Sequence, residues 1–230
     1  MKNKIYIGAM ALAAMLGTTS CGDDFLKEDA NHMVTDGLLE TNEGAKAMAA
    51  GLYANLRWHF GYEWAYGITL YGTDEFTNGA DLTAEPWNTY DNRLNPMDCT
   101  PANGAANKNC PGVSALWNEM YYGISTANLV LSKSGNLTDE DTRNKVMGEA
   151  YFLRGYNYYR LFAQYGGVVL QTEPASDNAV TVSYYERATA EQTLNQVIND
   201  FQQAYDRLPL TKWRGNGTGT KYTAAHVLAK

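Results

Sequence analysis

Apolar residues recur at helical spacing in five stretches of this chain, with polar or glycine-rich runs between them. Ala45, Met48, Ala49, Leu52 and Leu56 share one face of a helix predicted over about 43–58. Ser114 is a plausible N-cap for a second helix, with Trp117, Met120, Tyr121, Ile124, Asn128 and Leu131 facing inward. A third helix is expected from about Asp139 to Tyr165. Thr138 would cap it, and Asp139, Glu140 and Asp141 suit the positive end of its dipole. At ~1.5 Å per residue it would be roughly 40 Å long, a spine for its neighbours. It carries many aromatics, together with Arg154 and Arg160, for which pairing with helix ends or nearby carboxylates is expected. Gly166 and Gly167 would end it, because glycine takes positive φ without a Cβ penalty, and a short β-branched run follows. The fourth pattern is the clearest. Thr189-x-x-Gln192 is a capping box, and Leu194, Val197, Ile198, Phe201, Tyr205 and Leu208 keep one stripe until Pro209. Thr223 then opens a fifth helix through Ala224, Ala225 and Leu228, and the sequence stops inside it at Lys230.

Successive amphipathic helices with small residues at their crossings predict a mainly α fold of stacked antiparallel pairs, tetratricopeptide-like in arrangement. No clean repeat of about 34 residues is visible, so periodicity alone leaves other helical packings open.

The least regular part is the long connection over about 60–113. Connections of this length are commonly functional or disordered. Phe60, Tyr62, Trp64, Tyr66, Tyr71, Phe76, Trp87 and Tyr90 make it too aromatic for a solvated linker. Aromatic faces stack on the C–H face of a sugar, and amides and carboxylates bond its hydroxyls. The run Glu85-Pro86-Trp87-Asn88-Thr89-Tyr90-Asp91-Asn92-Arg93 has that make-up. Trp87, flanked by polar residues, is the best candidate for a stacking platform. Asn88 and Tyr90 come next, then Trp64. Each ring could equally fill a core under the irregular region, the commoner fate of so large a side chain.

Catalysis finds little support. Asp74 and Glu75 are adjacent, whereas glycosidase acids face each other across a cleft ~5–10 Å wide. Asp74 is expected to cap a turn or accept loop hydrogen bonds, with ligand contact a further role. Gly215-x-Gly217-x-Gly219 lacks a preceding strand and an acidic partner, so it reads as a turn before the last helix rather than a nucleotide loop. His32, His59 and His226 are scattered, and neither a metal nor a cofactor is implied.

The amino terminus changes the setting. Lys2 and Lys4 precede an apolar run from Ile5 to Leu16, too short for a membrane span of about 20 residues and suited to a signal peptide over 1–20. Thr18-Thr19-Ser20-Cys21 looks like a bacterial lipobox, with Thr18 where Leu is typical, and Cys21 would carry the lipid. An ordinary secretory signal with a cysteine nearby is the plainer alternative. Cleavage would remove Lys2 and Lys4 and no acid, taking the formal charge from −7 to −9. An acidic surface without a basic stripe argues against nucleic acid and against electrostatic docking to anionic lipid. Outside the cytoplasm, Cys99 and Cys110 can form a disulfide around a small loop, or remain two free thiols.

Several of these stretches together carry a family likeness. The pattern ExxFLRxxxYxxLxxxYGxVxL, running from Glu149 to Leu170, resembles the signature of SusD/RagB outer-membrane nutrient-binding lipoproteins. GLYANL at 51–56, LWNEMYYGISTANLVL at 116–131, the 187–209 stretch and TKYTAAHVLAK at the end agree in order. Gly155 departs from the alanine usual there. The resemblance implies tetratricopeptide pairs packed against an irregular ligand-binding part, and a chain equivalent to the amino-terminal portion of longer relatives. Residues 21–41 would be a tether and 42–230 the helical domain. It also implies a lipid-anchored protein on the cell exterior that binds glycan and delivers it to a SusC-like TonB-dependent transporter. Peptide uptake of the RagB type, a surface hydrolase and a pure interaction scaffold are the alternatives. The acidic pair Asp23-Asp24 after Cys21 resembles a surface-export signal.

Overall fold

The computed structural model describes residues 36–61, 65, 68–77, 79, 88–89, 113–174 and 185–230. Among them every regular element is helical. Cys21, Trp64, Trp87, Tyr90, Cys99 and Cys110 lie outside the described residues.

A short helix α1 (Asp36–Leu39) precedes α2 (Asn42–Gly51), which Thr41 caps by accepting the Gly44 N–H. The predicted first helix is not continuous. A 3₁₀ turn at Leu52–Asn55 separates α2 from α3 (Leu56–Gly61). In a 3₁₀ turn residues i and i+3 lie over one another, so Leu52 and Asn55 both face inward.

Helix α4 (Val113–Ser134) already contains Ser114, so that residue is not the cap expected of it. Its deepest residues are Leu116, Met120, Ile124, Ala127 and Val130, with Asn128 beside them. The predicted face is therefore turned by about one position, and Trp117, Tyr121 and Leu131 pack along its flank. Helix α5 (Glu140–Tyr165) is the expected spine. Its N-cap position is Asp139, not Thr138, and Gly166 closes it at φ 72° with an N–H bond to Phe162 O. Helix α6 (Ala190–Arg207) begins with the predicted capping box, both Thr189–Gln192 bonds being present. Helix α7 (Lys221–Leu228) starts two residues before Thr223, because Thr220 caps it and Thr223 returns the bond.

The three long helices run antiparallel in turn. Trp117 meets Tyr165 edge-on with centroids 5.2 Å apart, while Arg154 bonds Asn128, so α4 and α5 run in opposite directions. A Cβ on Gly148 would lie 2.9 Å from Leu208, and one on Gly155 3.0 Å from Asp200. Contacts falling in α6 as they rise in α5 make that pair antiparallel too. Gly155 thus lets the helices approach closely, and alanine there would need a small shift of α6. Gly123 does the same in α4, where a Cβ would meet the Asn55 and Asn157 amides at 2.4 Å.

Polar residues are buried at the centre. Arg154 bonds Asp200 through two nitrogens, at 2.9 and 2.7 Å, with the carboxylate fully buried. Its third nitrogen donates to Asn128 Oδ1 and Thr172 O. Glu149, also fully buried, pairs with Arg214 and accepts the Trp213 indole N–H at 3.1 Å. Arg214 lies over the Tyr53 ring, whose hydroxyl accepts the Gly219 N–H at 2.8 Å. This ties the turn between α6 and α7, with its positive-φ Gly215 and Gly217, to the spine. The expectation of a structural role for Arg154 is met.

Candidate functional site

Two described surfaces could meet a ligand. The first belongs to the irregular connection. Thr73, not Asp74, forms its turn: the Thr73 hydroxyl donates to Leu70 O at 2.8 Å and accepts the Phe76 N–H at 3.3 Å. Asp74 and Glu75 are carried outward at its tip, both exposed and neighbouring, without the facing geometry of a glycosidase pair. Asn88 returns close by, its amide donating to Thr77 Oγ1 at 2.8 Å. The fold therefore brings Asn88 to Thr77, eleven residues away in sequence and just past the exposed Thr73–Phe76 turn. Phe76, in that turn, is 44% exposed. Sequence reasoning counted Phe76 among the aromatics but did not single it out. Its position after the Thr73 turn was the available signal.

The second surface is a cleft of about 740 Å³ between Leu170, the 186–189 segment and the outer face of α6. Gln192, Asn195, Gln196 and Asn199 line it. Their i, i+3, i+4, i+7 spacing puts four amides in one row along the helix. Leu170, opposite, lies in a non-helical segment whose flanking residues are held at many points. Val168 N–H donates to Thr193 Oγ1 at 3.1 Å, and Tyr121 donates to Val169 O at 2.7 Å. Tyr158 both donates to Gln171 O and accepts its N–H, and Asn128 donates to Gln171 O and Glu173 O. Gly167 passes so close to the 188–190 backbone that a Cβ would sit 2.2 Å from Ala188 O. Burial pushes the Tyr158 hydroxyl up beyond the ordinary phenol range and Tyr121 up to about 12, so both stay protonated donors. No hint of this row was taken from the sequence, where amides on the polar side of an amphipathic helix look like ordinary solvated surface.

His59 is pulled down to about 4 by burial and by the Arg160 charge, and stands edge-on to Tyr156 with centroids 6.1 Å apart. Among the described residues no group of His, Cys, Asp and Glu is arranged to hold a metal ion, and no helix is long and apolar enough to cross a membrane.

Residues 70–230 match the family model SusD-like_3, described as starch-binding and associating with the outer membrane. The chain belongs to the SusD-like family. The SusD-like protein P25 of Formosa agariphila is 27% identical over 218 residues, 92% of this chain and 40% of that protein. A solved laminarin-binding SusD-like protein superposes with a TM-score of 0.64 at 20% identity, covering 81% of this chain and 38% of the other. A structure solved with xylogluco-oligosaccharide gives 0.58 at 18% identity, over 80% of this chain and 33% of its own. The matched region is thus between 23% and 40% of the curated SusD-like relatives' length. The mainly α, tetratricopeptide-like helix pairs read from the sequence are the SusD-like fold.

Proposed function

We propose that this SusD-like protein captures glycan at the cell surface and passes it to a SusC-like TonB-dependent transporter, binding without turnover. The observation that carries the reading is the family match across 70–230, which includes most of the aromatic-rich connection, from residue 70 on, and the spine. Structural neighbours that bind laminarin or were solved with xylogluco-oligosaccharide support glycan as the ligand class. The exposed turn with Phe76 and Asp74, with Asn88 bonded to Thr77 just past it, supports it further, since ring, carboxylate and amide are the groups a sugar needs. In this reading Trp87, Asn88, Tyr90, Trp64 and Asp74 form the ligand patch, with the rings stacking and the polar groups bonding hydroxyls.

Residues 1–20 would be removed as a signal peptide, Cys21 acylated, and 21–41 would tether a helical domain over 42–230 with its insertion at about 60–113. Several acyl chains on Cys21 hold stably where one is marginal. Cys99 and Cys110 would close a disulfide loop within the insertion.

The test is Trp87→Ala, assayed by calorimetric titration with laminari- and xylogluco-oligosaccharides. Binding is expected to weaken on the order of tenfold with an unchanged thermal melt, the loss of one stacked ring. Unfolding of the variant would make Trp87 a core residue, and wild-type affinity would remove it from the site. Preferential binding of peptides over both sugars would favour RagB-type uptake instead. For the anchor, radiolabelled fatty acid should attach to the wild type and not to Cys21→Ser.

A further inference from the structure

We propose that the cleft between Leu170 and the amide row of α6 is a second binding site, for a neutral, hydroxyl-rich oligosaccharide. The proposal rests on the glycan-binding reading above but places a contact on residues outside 60–113. Its volume of about 740 Å³ falls in the range of ~300–1,000 Å³ usual for small-ligand sites. Gln192 to Asn199 spans ~10 Å of helix at ~1.5 Å per residue, long enough for more than one sugar ring.

The amides are partly oriented in advance. Gln192 gives its carbonyl oxygen to the Thr189 N–H at 2.8 Å, which leaves its two N–H donors for the cleft. Gln196 spends a donor on Asp200 at 3.0 Å, which leaves its carbonyl as an acceptor. One fixed donor group and one fixed acceptor, a helical turn apart, therefore face the same space. Asn195 and Asn199 are exposed between and beyond them, with both amide ends open among the described residues. Holding polar groups in place before binding lowers the ordering cost that weak polyol sites otherwise carry. Across from them, the backbone on either side of Leu170 is fixed, Val169 O by Tyr121, Gln171 O by Tyr158 and Val168 N–H by Thr193.

A hydroxyl, like an amide, both donates and accepts, so a row of one fits a row of the other in any register. Charge gives no reason for an ionic ligand, since Glu186 and Arg187 stand together at the rim and Arg187 bonds the carbonyls of Tyr165 and Gly167. Leu170 is the apolar side chain against which a sugar's C–H face can rest. An extended peptide would want apolar pockets for alternate side chains, which this lining does not offer.

The experiment is an NMR titration of the ¹⁵N-labelled chain with a laminari-oligosaccharide and separately with a xylogluco-oligosaccharide, following side-chain amide signals. Shifts are expected at Asn195, Gln196 and Asn199. Asn195→Ala combined with Asn199→Ala should weaken this binding roughly tenfold or more while leaving the thermal melt unchanged, since both side chains are exposed. Trp87→Ala should leave the α6 shifts in place. Sugar-induced shifts confined to 60–113, or an unaltered cleft affinity in the double variant, would overturn the second site and leave the primary reading standing. A neutral peptide shifting these amides while both sugars leave them still would overturn the ligand class. Silence of the whole chain toward both sugars would overturn the glycan reading together with this one.

Discussion

Replacing Asp200 with alanine would leave the Arg154 guanidinium in a site where its side chain is 6% exposed, its main counter-charge gone. Two of its hydrogen bonds, at 2.9 and 2.7 Å, would vanish, and those to Asn128 and Thr172 carry no charge. Stranding one member of a buried pair costs about 3–5 kcal/mol, because desolvation of the remaining ion is no longer offset. For a folded unit of this size each kcal/mol lowers Tm by roughly 2–4 °C, so the melt should fall by on the order of 10 °C. Urea denaturation followed by far-ultraviolet circular dichroism would measure it. Asp141→Asn supplies the control. Lys145 and Asp141 also form a close pair, but the aspartate is 74% exposed, and its loss should cost no more than about 0.5 kcal/mol. Removing both members of the central pair, Arg154→Leu with Asp200→Leu, should cost less than Asp200→Ala alone, since no ion is then stranded. If Asp200→Ala lost under about 1 kcal/mol, or no more than Asp141→Asn, the Arg154–Asp200 pair would not be the buried joint described here.

Three other outcomes follow from the same packing. Unfolded His59 takes up a proton near 6.5 and the folded residue only near 4. The unfolded chain therefore binds more protons in that window, so stability should fall as pH drops from about 6.5 toward 4, by at most ~3 kcal/mol from this group; His59→Gln should flatten that portion of a pH-resolved urea series. Gly123→Ala puts a methyl 2.4 Å from both Asn55 and Asn157 amides, which already bond each other at 3.1 Å, and should cost ~1–3 kcal/mol in chemical denaturation despite the better helix propensity of alanine. Thr189→Ala breaks the capping box of α6 and should cost ~1 kcal/mol, with Thr189→Ser restoring most of it.

Helix α6 marks where reading the chain worked and where it stopped. Its start was legible because a capping box is a local bond between residues three apart. Its inner face was legible only in part: Val197, Phe201 and Leu208 are buried as predicted. The predicted stripe took in Leu194, Ile198 and Tyr205, which are 38%, 49% and 36% exposed, while Thr193 and Asp200 are fully buried. A periodicity argument places polar residues outside, and it fails wherever a partner from a distant part of the chain satisfies them. Arg154 for Asp200 and the Val168 N–H for Thr193 are such partners, 46 and 25 residues away.

The sequence by itself settled what depends on neighbours along the chain: the span of the spine and its glycine stop, the α6 cap, and the family signature around Glu149–Leu170. Only the tertiary structure decided what depends on residues far apart. It turned Gly148 and Gly155 into points of helix approach, made Asp200 an interior counter-ion, brought Asn88 back to Thr77, and set the α6 amides opposite Leu170. The physical reason is that a helix is specified by bonds within a few residues, whereas burial and a binding surface arise only when separate helices pack.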